Sequence, residues 1–200
     1  MSSVEDICQK SVGIAMDFLE TGIDVQKEGG IIEIMGASRW RPPEEGTFKV
    51  SIACKFCSTL SKVGVGVLVR DSSCLVTAAC TFTLKITGDI LQSVAMAVVE
   101  SIRFAIDIGL LRVELEFDNK DLFYLLKQVG PCLVPVGNLV DDIVLSKRYF
   151  EIFNYSYVTK LCNKATCALA TEAVFSLFSQ VWLKDCPDYI ISHVQFDIIQ

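Results

Sequence analysis

The chain has 200 residues, 52% of them hydrophobic, with 24 acidic residues against 18 basic ones and a formal net charge of −6. That length suits one domain with an extension and is large enough to bury a core. The acidic balance excludes a generic nucleic-acid binder, which carries a basic surplus to neutralise phosphates, so any such contact needs a local basic patch. Mean hydropathy is +0.45, yet the apolar runs are cut by charges and none reaches the ~18–20 residues of a membrane helix. The first ten residues, MSSVEDICQK, lack the basic flank and apolar core of a secretory signal. These features predict an intracellular protein, nuclear or cytoplasmic, without a membrane partner. Nine cysteines without a repeating spacing read as free thiols acting as small core hydrophobes.

In chain order, residues 4–20 carry Val4, Ile7, Cys8, Ala15, Phe18 and Leu19 near one face, which predicts a helix. Gly22 and the run at 28–30 break it, so 21–39 is a predicted linker, and Trp40, Pro42 and Pro43 open a domain over 40–200. From Phe48 to Phe56 apolar residues alternate with Lys49, Ser51, Ala53 and Lys55, the pattern of a half-buried strand. Strands over 63–70 and 74–84, separated by Asp71-Ser72-Ser73, complete an antiparallel meander. A helix over 91–108 stops at Gly109. Val113–Asn119 then alternates Val113, Leu115 and Phe117 with Glu114, Glu116 and Asp118, a strand closed by an acid, where α/β folds usually place ligands. Predicted helices over 119–128 and 139–150, a Pro/Gly loop at 130–137, a strand over 153–158 and a helix over 163–178 follow.

This order, with its local words, resembles the ribonuclease H-like domains of plant reverse-transcriptase-like proteins, the kind left by non-LTR retroelements. The words are Trp40-x-Pro42-Pro43-x-x-Gly46-x-Phe48-Lys49-Val50, Gly64-Val65-Gly66-Val67-Leu68-Val69-Arg70-Asp71, Ala105-x-x-x-Gly109-Leu110, Glu116-Phe117-Asp118-Asn119 and Asn163-Lys164-Ala165-x-x-Ala168-Leu169-Ala170. Trp182 and Pro187 fit the tail, and the resemblance spans about Trp40 to Asp197. It implies an α/β fold with a five-stranded mixed sheet flanked by helices, here with an N-terminal helix and linker.

The resemblance also implies hydrolysis of the RNA strand of an RNA–DNA hybrid by two Mg²⁺ ions held by four carboxylates. Carried over singly, the first-strand acid falls at Ala53, the first-helix glutamate at Val94, the strand-end acid at Asp118 and the last-helix acid at Cys167. Tyr157 replaces the histidine ahead of the last motif. Asp118 is thus the one carboxylate of the set, and Ala and Val offer a metal no ligand atom. The resemblance therefore implies a degenerate domain with residual nucleic-acid or protein binding and no cofactor. Two alternatives stay open: an active hybrid ribonuclease using Mg²⁺, and a packing or dimerisation module without a nucleic-acid role.

Other features have plainer explanations. Glu114, Glu116 and Asp118 form an acidic comb, either a substitute metal site or, more simply, a solvated strand face. Cys54 and Cys57 make a CxxC with Cys162 and Cys167 as conceivable zinc partners, but such knuckles sit in tight turns, and three residues apart on a strand Cys54 and Cys57 face opposite sides of the sheet. His193, the single histidine, has no nucleophile in an elbow and suits a structural or surface role. Lys49, Lys55 and Lys62 offer either a modest phosphate patch or a solvated face.

Overall fold

The structure, a computed structural model, describes residues 40–86, 88–128 and 135–199. The predicted helix over 4–20, the linker and most of the loop at 130–137 lie outside the described residues. The strands are β1 (Phe48–Cys57), β2 (Lys62–Arg70), β3 (Val76–Lys85), β4 (Arg112–Phe117), β5 (Ile152–Tyr157) and β6 (Gln180–Leu183). The helices are α1 (Ile90–Asp107), α2 (Lys120–Lys127), α3 (Gly137–Leu145), α4 (Lys164–Phe175) and α5 (Asp188–Ile199), with 3₁₀ turns over Ser146–Tyr149 and Lys160–Cys162. They build one mixed sheet of order β5-β4-β1-β2-β3-β6. The meander is antiparallel, and β4 and β5 add to β1 in parallel.

Local chemistry accounts for the helix starts. Asp89 caps α1 by accepting from the Gln92 N–H at 2.7 Å, and Asn119 caps α2 by accepting from the Leu122 N–H at 2.8 Å. Gly109, at φ +78°, allows the left-handed turn just beyond α1. Among the described residues, no helix is long and apolar enough to cross a membrane.

The sheet is covered on both sides. On one face Val50, Ile52, Val65 and Val67 pack with Val98, Ile102 and Ala105 of α1 and with Leu122 and Ile143. On the other, Leu68 and Ala79 pack with Ala165 and Leu169 of α4 and with Ile190 and Val194 of α5. The expected half-buried β1 is therefore buried on both faces through its middle, from Lys49 to Ala53. Alternation misleads here because Ser51 and Ala53 look solvent-facing but lie on the side of the sheet that α4 covers.

Two further differences concern the tail. α4 ends at Phe175 rather than Phe178, and the chain then adds β6 against β3, a sixth strand beyond the expected five. Four residues reading Gln-Val-Trp-Leu have too short a pattern to announce a strand.

α4 lies close to β2 because Gly64 and Gly66 present no side chain. A Cβ on Gly66 would stand 2.5 Å from the Thr166 carbonyl oxygen and 2.6 Å from the Ala170 nitrogen. Those are backbone atoms, so the helix itself would have to move. Gly66→Ala should destabilise the fold by about 1–3 kcal/mol, measured by urea unfolding, despite alanine's better strand propensity. An unchanged midpoint would mean that α4 is not held at this spacing.

Candidate functional site

Two of the three acids of the comb, Glu114 and Glu116, are held in an ion cluster. β4 and β1 run in register, with Lys49 beside Glu114 and Ser51 beside Glu116. The Lys49 ammonium lies 3.3 Å from an oxygen of each glutamate and donates to the Arg41 carbonyl at 2.8 Å. Ser51 donates to Glu116 at 3.0 Å, and Ser156 on β5 donates to Glu114 at 2.9 Å. Glu116 and Lys49 are each 5% exposed. Burial pushes the Glu116 carboxyl upward, against the opposing pull of Lys49, Arg70 and the Ser51 hydroxyl.

This replaces two expectations. The expected solvated acidic face is an ion cluster, with Glu116 buried and Glu114 partly so, because Lys49 of the adjoining strand meets both carboxylates. Lys49 drops out of the phosphate patch, because its charge is committed inward. Trp40 closes the cluster, with the Arg70 guanidinium 3.5 Å and the Lys49 ammonium 5.6 Å from its ring. Arg70 is itself 1% exposed and pairs with Asp197 of α5 at 2.8 Å.

Asp118 has a different setting. It follows Phe117, whose neighbour on β1 is Ile52, so it stands beside Ala53 just past the end of β4. The side chain is half-buried, and burial raises its carboxyl above the ordinary value more than the nearby Lys160 ammonium lowers it. Burial, with the Asp118 charge added, pushes the Cys54 thiol up to about 12 and the Cys167 thiol up to about 11. Both thiols are therefore protonated at neutral pH.

Of the four positions carried over from the resemblance, Ala53, Asp118 and Cys167 come together at this point. Val94 is buried in the main core, in the cluster that also holds Ile52 and Phe117. Among the described residues, no group of three or more His, Cys, Asp and Glu side chains is placed to hold a metal ion. Cys54 and Cys57 lie within β1 and remain thiols. His193 lies half-buried on α5.

Sequence reading missed Lys160, which occupies the 3₁₀ turn between β5 and α4 and has no motif around it. It also gave no role to Asn163, although that residue opens a quoted motif. The Asn163 amide donates to the Ile52 carbonyl at 2.9 Å, tying the start of α4 to β1 beside Asp118.

A carboxyl whose pKa is raised on folding is stabilising while protonated, and that contribution is lost as pH rises through the folded value. Asp118→Asn should therefore raise the thermal midpoint at pH 7. The gain should vanish as pH falls below the ordinary value of 3.8, where Asp118 is protonated in both states. Thermal melts of both proteins from pH 3 to 8 check this; a variant less stable at pH 7 would mean the charged Asp118 supports the fold.

Residues 50–173 match the model of a family described as reverse transcriptase-like. No curated protein matches the chain. Among solved structures, ribonuclease H1 from Halobacterium salinarum is similar at 17% identity and TM-score 0.58, covering 64% of this chain and 98% of its own. The N-terminal ribonuclease H domain of a Mycobacterium tuberculosis protein gives 14% identity and TM-score 0.56, over 64% and 94% of the two chains. LC11 ribonuclease H1, in complex with an RNA/DNA hybrid, gives 13% and 0.56, over 64% and 96%. With the sheet order and the two covering layers already described, these matches make the chain a member of the reverse transcriptase-like family with a ribonuclease H-like fold.

Proposed function

We propose that this ribonuclease H-like domain binds nucleic acid without hydrolysing it. The observation that carries the reading is the donor set around Asp118. Mg²⁺ takes hard oxygen ligands in octahedral geometry, and a two-metal site needs several carboxylates converging from separate elements. Here Ala53 and Val94 end in hydrocarbon. Cys167 is a protonated soft donor, a poor partner for Mg²⁺. Glu114 and Glu116 are engaged by Lys49. Asp118 remains as a single carboxylate with a lysine charge beside it. These residues do not fit a pair of magnesium ions.

Nucleic acid as the kind of partner is supported by the LC11 ribonuclease H1 complex with an RNA/DNA hybrid. The decisive experiment is incubation of a labelled RNA–DNA hybrid with excess protein in Mg²⁺ and in Mn²⁺, wild type beside Asp118→Asn. The expected result is no cleavage by the wild type above the variant. Cleavage that Asp118→Asn abolishes would overturn the reading and identify an active nuclease.

A second reading, a packing or dimerisation module, is favoured by one observation. β6 is an edge strand, with Val181 and Leu183 exposed beside Phe175, Leu177 and Phe178, which are 71%, 86% and 79% exposed. Sedimentation over a hundredfold concentration range tests it: a rising mass, abolished by Val181→Lys, is the result this reading requires.

A further inference from the structure

β1 outruns its parallel neighbour. Its pairing with β4 ends at Ile52 and Phe117, whereas β1 continues to Cys57 and returns through β2 from Lys62. The free length of β1, β2 and β3 thus forms a ledge beyond the end of β4, with Asp118 at its inner corner.

The ledge gathers positive charge, three lysines of it on one face. Alternation puts Lys55 on the same side of β1 as Ala53, about 6.6 Å farther along. Cross-strand partners share a face, so Lys62 (opposite Cys57) and Lys85 (opposite Lys62) lie on that side as well. The neighbouring strand ends add two more lysines. Lys160 lies near enough to Asp118 and Cys167 to act on both, and Lys55 acts on Cys167. Lys120 follows β4 by three residues, at the same end of the sheet but toward its other face, with its ammonium 6.0 Å from the ring of Tyr157, the partner of Phe117.

Three features separate this group from a scatter of surface lysines. Lys55, Lys85, Lys120 and Lys160 are exposed and Lys62 partly so, and among the described residues none of the five forms an ion pair. Lys62 and Lys85 face each other directly across β2 and β3, an arrangement of like charges that costs stability unless an anion relieves it. Of the acids that adjoin these strand ends in the chain, Asp118 is half-buried, Asp121 lies in the first turn of α2 and Asp89 is occupied in capping α1. On a chain of net charge −6 this is a local reversal of sign.

We infer that this ledge holds the phosphate backbone of nucleic acid directly through Lys55, Lys62, Lys85, Lys120 and Lys160, without a divalent metal, and that Asp118 opposes this binding. The inference rests on the non-hydrolytic reading above and extends it to the mode of binding. Where carboxylates hold metals, the metals provide the positive charge that meets phosphate. Here fixed ammonium groups provide it, as point charges that recognise phosphate and not sequence.

The test is anisotropy of a labelled RNA–DNA hybrid and a DNA duplex of equal length, titrated with the full chain in EDTA and then in Mg²⁺, over a salt series. Binding should persist in EDTA, treat both duplexes alike and weaken modestly in Mg²⁺, which competes as a counterion. Five phosphate contacts give a slope of log affinity against log salt of about −4.5, and each lysine removed should flatten it by about one. Lys55→Glu with Lys160→Glu should weaken binding roughly tenfold or more. Lys147→Glu, in the 3₁₀ turn before β5 and away from the ledge, should leave it unchanged. Asp118→Asn should tighten it a few-fold. Binding that is lost in EDTA, restored by Mg²⁺ and weakened by Asp118→Asn would overturn the inference in favour of metal-mediated contact. Equal effects of Lys147→Glu and the ledge variants would overturn its location. Cleavage of the hybrid in the Mg²⁺ arm would instead overturn the non-hydrolytic reading, so the two failures are distinguishable.

Discussion

The close seating of α4 on β2 governs the rest of this structure, because it turns a one-sided sheet into a two-sided one. Gly64 and Gly66 leave room for helix backbone where any side chain would meet it. With α4 seated, Leu169 and Ala165 cover Leu68 and Ala79, and α5 closes the second core through Ile190 and Val194. The same seating carries Asn163 to the Ile52 carbonyl and brings Cys167 alongside Asp118. The spacing of one helix thereby decides what surrounds the end of β4.

Covering that face left charged side chains inside, and the molecule treats them in two ways. Around Glu116 the charges are matched: Lys49 bridges both glutamates, Ser51 and Ser156 supply hydroxyl donors, and the Trp40 ring lies against Arg70. A buried ion pair offsets its desolvation only with partners this well arranged, and losing one partner would strand the others. Around Asp118 the compensation is incomplete. One carboxylate and two protonated thiols lie together there, with Lys160 nearby.

The proposed non-hydrolytic binding turns on this local reversal of charge. Metal-dependent hydrolysis requires acids to attract cations before phosphate arrives. Hydrocarbon at Ala53 and Val94 and a thiol at Cys167 bring no such carboxylate charge, and so nothing there to repel a phosphate backbone. A fold of this kind can then keep its surface for nucleic acid while changing the ions that meet it.

The sequence by itself determined the element order as far as α4, the strand alternation, the stop at Gly109 and the place of Asp118 at the end of a strand. All of these follow from residues near one another in the chain, through periodicity and local hydrogen bonding. Tertiary structure alone decided which alternating face was buried, and so whether Glu116 and Lys49 met water or each other. It also decided that a four-residue strand would join at β6, where β3 supplied an unpaired edge, and that Lys160 would stand near Asp118, 42 residues earlier in the chain. The physical reason is common to these cases: burial and charge pairing depend on what packs opposite a side chain, and no spacing within a single strand records that.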